Sequence, residues 1–540
     1  MSRIIKPSVT GRMARMIMLV HVLVSLPVLL PAQSFVWAKT RPLDYSLNPE
    51  MLNYTVAVSN AGQVYFAGLK NFSNHYSNEA FGDNFFICYD ADGNQIFEKL
   101  FTGECVVKNM HVSKDGFIHL AGLIRGDVEF APGQTMTYSG EGANAFLVRF
   151  SADGSFSWMK NLSEIYVFAD QVRGITSDEQ HHIFVVYNDN TNANSFIRKF
   201  DAAGDEMLLV QQTSVAVISS IDIDADGNIV VAGSCPSSTA TFGGIPYNSG
   251  FAYALYVAKY NDQGQNQWVK FVEDVTCQNP RVRCSPAGDY YVSGHLFDGF
   301  EFGGIPTSGP AWVYDFFMAK MNADGDFEWV KEVPETTDGD ASVGRLNHLA
   351  LDYYGNPYLS GFTRGQIQWD ENWQSEVVNR GILAATYTSG GEYRWIKFGS
   401  GGWNAQSIAV FSPDEIYIAG TALGQMQLDD ITVTAAGFYY PFLAKIEDVT
   451  TQAGNDALAG TIEIYPNPAK DKCTIRTAKP GQMVSGYQIL NSGGAIVAAN
   501  EQVFAPEMVM DAGNLEKGIY VVRVKFTDGT VASEKLVVIR

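Results

Sequence analysis

The chain has 540 residues, 51 of them glycine, with 13% aromatic and 18% charged residues. That composition excludes a disordered chain, a coiled coil and a charged helical bundle, and it suits a β protein turned by glycines. The net charge of −21 argues against a nucleic-acid partner, because phosphate binding needs a basic surface.

Residues 1–32 read as an export signal. Arg3, Lys6, Arg12 and Arg15 form a basic start, Met16 to Leu30 is apolar, and Leu30-Pro31-Ala32 offers a small-residue cleavage site. The apolar run is too short and too interrupted by proline for a membrane span. Cys88, Cys105, Cys235, Cys277, Cys284 and Cys473 follow, with no C-x-x-C spacing, so a zinc cluster is not expected. In an exported chain they are either disulfide-bonded or buried thiols, and spacing does not choose between the two.

Internal repeats organise what comes next. An apolar run ends in Ala-Gly or Ser-Gly at Gly68, Gly122, Gly233, Gly294, Gly361 and Gly420. A weaker copy, His182 to Tyr187, lacks this glycine, which makes seven copies spaced by roughly 45–67 residues. Each copy predicts a strand, a tight glycine turn and a second strand ending in that glycine. A long variable connection and a third strand follow. A second glycine turn then leads to a fourth strand with an aromatic four residues on: Gly93 and Phe97, Gly154 and Trp158, Gly264 and Trp268, Gly325 and Trp329, Gly391 and Trp395. A lysine stands two residues beyond each, at Lys99, Lys160, Lys270, Lys331 and Lys397. This recurrence suits packing between repeats, with the lysine stems covering apolar surface, better than a single active site. Four strands repeated seven times without helical periodicity predict a seven-bladed β-propeller.

The seventh copy ends after three strands, at Phe442-Leu443-Ala444-Lys445. Its missing strand matches Trp37-Ala38-Lys39, just after the signal. Trp37 lies 31 residues before Gly68, as Trp329 lies 32 before Gly361. Residues 34–40 are therefore expected to complete the last blade, so that the two ends of the chain close the ring and leave no open edge. The propeller is expected over 33–446. These repeats resemble those of secreted bacterial seven-bladed propellers, the SBBP-like group, through Asp226-Gly227-Asn228, Phe242-Gly243-Gly244, Phe302-Gly303-Gly304 and the Ala-Lys before the second glycine turn. The resemblance implies the fold and says almost nothing of activity.

Residues 447–459 are small, polar and unpatterned, which reads as a linker. Alternating strands then predict a small C-terminal β-sandwich over 460–540. This segment resembles the type A sorting domain of the type IX secretion system, carried by Tyr465, Pro466, Asn467 and Pro468, by Gly518 and Tyr520, and by the terminal strand with Lys535. The resemblance implies that the type IX secretion machinery is a partner and that the domain is removed after export. What precedes it is then secreted or held at the outer cell surface.

No His-Glu-x-x-His, Gly-x-Ser-x-Gly or P-loop motif occurs. Asp222, Asp224 and Asp226 open like a calcium loop, with hard oxygens two residues apart, but no Glu holds the twelfth position and a hairpin turn already explains Asp226-Gly227. No other cofactor is expected. The Asp153-Gly154 and Asp324-Gly325 segments resemble sialidase Asp-boxes with the glycine one residue early. The long connections share one face, where function is expected. That face carries Tyr76, Tyr253, Trp312, Trp369, Trp373 and Trp403, with Asp370 and Glu371 nearby, a set suited to stacking on sugars. The leading expectation is a monomeric glycan- or protein-binding module without catalysis. A polysaccharide-active enzyme with its site over the central channel, or a structural surface component, are the alternatives.

Overall fold

The computed structural model describes residues 33–43, 47–162, 171–189, 193–247, 254–273, 275, 277, 279–296, 301–307, 315–334, 339–448, 462–467, 469–470, 472–477, 483–490, 496–500, 505, 507–515, 517–526 and 531–539. The expected export signal and residues 449–459 of the expected linker lie outside them, whereas Glu447 and Asp448, expected to open that linker, extend the strand Ile431–Asp448. Among the described residues every element is a strand except a single 3-10 turn, Pro49–Met51, and no helix is long and apolar enough to cross a membrane.

Antiparallel pairing groups the described strands between 33 and 448 into seven four-stranded units. The first contains Tyr54–Val58, Val64–Tyr76 and Glu79–Tyr89, and the fifth contains Arg281–Cys284, Tyr290–Leu296, Asp315–Met321 and Phe327–Glu332. Three long strands, Gln95–Val112, Glu206–Ile223 and Tyr393–Ser412, each end one unit and begin the next. Each unit's innermost strand packs against its neighbour, and the last returns to the first through 404–412 and Tyr54–Val58. The result is a closed ring of radial blades, a β-propeller.

Polar links stitch the blades near the axis. Asn84 Oδ1 accepts from Val107 N, Asn109 Nδ2 donates to Val172 O, and Thr176 Oγ1 donates to Asp222 Oδ1. Ser220 Oγ then donates to Val282 O, Ile408 N to Asn347 O, and Gln406 Nε2 to Leu52 O. Each of these buried polar groups thus finds a partner on the neighbouring blade.

The ring closes between chain ends, as the repeat count predicts. Gln33–Thr40 pairs antiparallel with Ile431–Asp448, setting Trp37 opposite Lys445 and Thr40 opposite Phe442. Phe35 N donates to Asp429 Oδ2 at 2.9 Å, and Thr40 Oγ1 to Pro441 O at 2.8 Å. The N-terminal strand therefore satisfies the edge that the seventh blade would otherwise present to solvent.

The recurring Gly…Trp-x-Lys pattern is a blade-to-blade contact. Gly93 (φ +79°) turns the chain where a Cβ would lie 2.8 Å from Lys39 Cε and 3.1 Å from Trp37. Gly204 meets Lys160 and Trp158 in the same way, and Gly391 meets Lys331 and Trp329. At these turns, and at Gly154 and Gly325, the aromatic ring and lysine stem of one blade lie on the glycine turn of the next. Trp158 and Trp329 also donate through Nε1 to the turn carbonyls of Ala202 and Ser389.

The C-terminal segment has its own core. A three-stranded sheet holding Ile462–Tyr465, Lys472–Thr477 and Glu507–Asp511 faces a four-stranded sheet holding Val484–Leu490, Ile496–Asn500, Gly518–Phe526 and Val531–Val538. Ile464, Ile475 and Met510 from the first meet Ile489, Val522 and Leu536 from the second. Asn467 Oδ1 accepts from Val537 N at 2.9 Å, so the turn after Tyr465 is tied to the terminal strand. Gly518 and Tyr520 pair with Val538 and Leu536, and Lys535 pairs with Val521. Tyr520 is buried in the shared core. Pro468 lies outside the described residues.

Candidate functional site

In a four-stranded meander the first and third connections share one end, and the second connection and the exit share the other. Here the first and third are tight turns, such as 224–228 and 90–94, each closed by the side chain that opens it. Asp224 Oδ1 accepts from the backbone of Asp226 and Asn228, and Asp90 Oδ1 from that of Asp92 and Asn94. The opposite end carries the long connections and, on the ring axis, a cavity of about 740 Å³.

Its walls come from different blades. Glu50, Asn53 and Glu79 come from the first blade and its approach, and Lys108 and Asn109 from the second. Arg173 comes from the third, Arg281 and His295 from the fifth, Ser342, Arg345 and Arg380 from the sixth, and Asn404 from the seventh. Six cations and three carboxylates line it, in a chain whose net charge is −21. The positive charge of an acidic protein is thus focused at the mouth of the ring.

The carboxylates are engaged. Glu79 takes Lys108 Nζ at 2.5 Å, Asn53 Nδ2 at 2.6 Å and Arg345 Nη2 at 3.9 Å. Burial raises the Glu79 carboxyl, but Lys108 and Arg345 outweigh it and hold it below the ordinary range. Burial pulls the Lys108 ammonium down to about 8 against the attraction of Glu79. Asp340 pairs with Arg364 at 2.6 Å, and Glu50 accepts from Trp403 Nε1 at 2.9 Å. Ser342 Oγ lies 2.5 Å from His295 Nδ1, whose imidazole burial holds down to about 4.

The structure redistributes the aromatics expected to face a ligand. Trp369 is only 4% exposed, stacked between Phe316 and Phe398 and donating to Ser375 Oγ, so its indole serves the core. The hairpin that carries it folds back over the sheet, where an indole removes more apolar surface from water than it would at a loop tip. Trp373 is half-buried against the same core, its backbone N–H held by Asp370 Oδ1. Tyr76 is half-buried under the Arg125 guanidinium, 4.8 Å away. Trp403 stands behind the cavity wall. Arg380 lies 4.1 Å over its ring and Tyr439 packs edge-on, so Trp403 positions Arg380 and Glu50 rather than opening a stacking face. Tyr253 and Trp312 lie outside the described residues.

Asp222, Asp224 and Asp226 do not converge. Asp222 faces Thr176 and the backbone N–H of Cys284, Asp224 caps its turn and pairs with Lys259 at 2.8 Å, and Asp226 is exposed. Among the described residues no group of three or more His, Cys, Asp or Glu is placed to hold a metal ion. Cys88, Cys105, Cys284 and Cys473 are free thiols. The side chain of Cys235 is not among those described. Sequence reasoning placed function on this face and over the channel but missed the cationic lining. Lys108, Arg173 and Arg281 share one place in the repeat, just past the residue opposite the repeat glycine or its counterpart Tyr187. Ser219 and Gln406 stand there in other copies, so the residue type does not repeat and ring closure brings the cations together.

Residues 463–539 match the family model described as the secretion system C-terminal sorting domain. No curated protein matches the chain in sequence. Among solved structures, the chain is similar to the polysaccharide lyase Uly1, at 10% identity and a TM-score of 0.42 over 77% of this chain and 99% of that one. It is also similar to the Kuenenia stuttgartiensis hydrazine synthase, at 13% identity and a TM-score of 0.41 over 70% and 95%. The Neurospora crassa Pan2 WD40 domain aligns at 9% identity and a TM-score of 0.38 over 77% and 96%. The chain carries a type IX sorting domain at its C-terminus and is a secreted or cell-surface β-propeller protein handled by that machinery.

Proposed function

Starting from an exported propeller with a type IX sorting tail, we propose that the ring is a binding module without catalysis that takes a glycan in its axial cavity at the cell surface. The observation that carries this reading is the cavity itself, which sits on the long-connection end and is walled by side chains from six blades. Its volume suits a few sugar rings, since small-ligand sites run to roughly 300–1,000 Å³. A protein partner would instead need a flat patch of about 800 Å² per side.

Screening the purified chain on a glycan array tests the reading. Binding is expected, and Phe362→Ala, which opens the cavity wall beside Arg380, is expected to weaken it about tenfold. Binding indifferent to that change would move the ligand elsewhere. An absence of binding to any glycan would favour a structural surface role.

One observation favours catalysis as the second reading: the Ser342–His295 contact at 2.5 Å on the cavity wall, a hydroxyl beside an imidazole that stays neutral at physiological pH. Release of a cleaved product, lost in Ser342→Ala, would establish it.

A further inference from the structure

Arg281 opens the innermost strand of the fifth blade and is 2% exposed. Its Nη1 donates to two backbone carbonyls, those of Arg173 and Ser219, and its Nε has no hydrogen-bond partner among the described residues. No carboxylate among the described residues lies within ion-pair distance of it. Its charged neighbours are Arg173 and Arg283, and with burial they pull its guanidinium well below the ordinary arginine range. A guanidinium keeps its proton in proteins, so this pull is an electrostatic cost of folding and not a titration. A buried cation without a counter-charge is costly to keep out of water, and proteins rarely keep one without a use.

The surroundings show what would offset that cost. Arg281 lines the axial cavity together with Arg173, Arg345 and Lys108. Asn279, 5% exposed and beside it, donates through Nδ2 to Arg345 O and keeps an unpartnered Oδ1. Lys108 and Arg345 are partly neutralised by Glu79, whereas Arg281 is not.

Resting on the glycan reading above, we propose that the cavity recognises an anionic group on its ligand, the carboxylate of a uronic acid or a sulfate ester, with Arg281 as the central counter-charge and Arg345 and Arg173 flanking it. Planar guanidinium donors suit either group, because each presents two oxygens at the spacing of the arginine fork.

Titration calorimetry at fixed ionic strength, with trigalacturonate, a chondroitin sulfate tetrasaccharide, cellotriose and millimolar sodium sulfate as probes, tests the assignment. At least one charged oligosaccharide is expected to bind tenfold or more tighter than cellotriose, and the better of the two distinguishes carboxylate from sulfate. Arg281→Met and Arg345→Gln are each expected to weaken charged probes at least tenfold and to weaken any cellotriose binding by much less, so that the preference for charged probes shrinks. Should Arg281→Met fail to fold, Arg345→Gln, at a partly exposed side chain, carries the test. Cellotriose binding that matches the charged probes and still falls in Phe362→Ala would overturn the anion assignment and leave the glycan reading standing. Sulfate binding lost in Arg345→Gln, with no oligosaccharide bound, would keep the anion site and overturn the glycan reading. Charged probes indifferent to both arginines, or no probe bound at all, would sink the assignment outright.

Discussion

The indole Nε1 of Trp37 donates to the carbonyl oxygen of Ala91 at 3.0 Å, across the junction where the two ends of the propeller meet. Trp158 makes the same bond to Ala202, and Trp329 to Ser389, inside the ring. The closure is therefore built from the ordinary blade-to-blade contact and not from a special device, and Lys445 Nζ reinforces it on the same carbonyl at 3.2 Å.

This equivalence predicts how the ring opens. Trp37→Ala should cost about 3 kcal/mol, at the low end for a large aromatic because the side chain is half-buried. Removing residues 33–40 should do more, exposing the 442–448 edge and producing concentration-dependent aggregation. Urea midpoints and light scattering read both effects. A truncated chain as stable and as monodisperse as the full one would show that the strand is dispensable.

Two glycines with nearly the same backbone angle should differ in tolerance. At Gly227 (φ +81°) nothing lies within 4 Å of an added Cβ, so Gly227→Ala should cost only the left-handed strain, about 1 kcal/mol. At Gly154 (φ +79°) a Cβ would meet Phe97 Cζ and Lys99 Cε, each at 2.8 Å, so Gly154→Ala should cost about 2 kcal/mol or more. Equal losses in denaturant melts would mean that the turns do not bear on the neighbouring blade.

Acid should weaken the fold through its buried histidines, two of which lie in the second blade. His119 is 1% exposed, neither ring nitrogen has a hydrogen-bond partner among the described residues, and burial beside His111 and Arg149 holds its imidazole well below the ordinary value. His111 is held down to about 4. Below pH 6.5 the unfolded chain takes up protons that the folded one refuses, so stability is full above that pH and falls as pH drops toward 4. His119→Leu should flatten this slope, as read by urea midpoints between pH 7.5 and 4.5. An unchanged slope would assign the acid sensitivity to other groups.

The C-terminal module should be separable. Its core draws only on residues from 462 onward, and it touches the propeller through Arg523 at Tyr353 and Asp414. A chain ending at residue 448 should keep its thermal midpoint within a few degrees while remaining in the periplasm of the producing cell. Normal export of that truncation would contradict the sorting role, and a collapse of the midpoint would contradict the independence of the two cores.

Much of the architecture was legible because it is written several times over. A glycine turn, an aromatic four residues later and a lysine after that specify a local hairpin and its contact with the next blade. The matching distances from Trp37 to Gly68 and from Trp329 to Gly361 were enough to locate the closing strand. Trp369 was misjudged because composition and spacing say that an aromatic sits in a long connection, not whether that connection folds back onto the sheet.

The sequence alone therefore determined the strands, the repeat and the two termini that must meet, since each depends on near neighbours or on a pattern that recurs. Only the tertiary structure decided the chemistry at the axis. Glu79, Lys108, Arg173, Arg281 and Arg345 come from separate blades, and the residue type at such places changes from copy to copy, as Ser219 and Gln406 show. Their charges act on one another only because closing the ring sets them around one cavity, where low dielectric makes an unpaired guanidinium costly and an anion welcome.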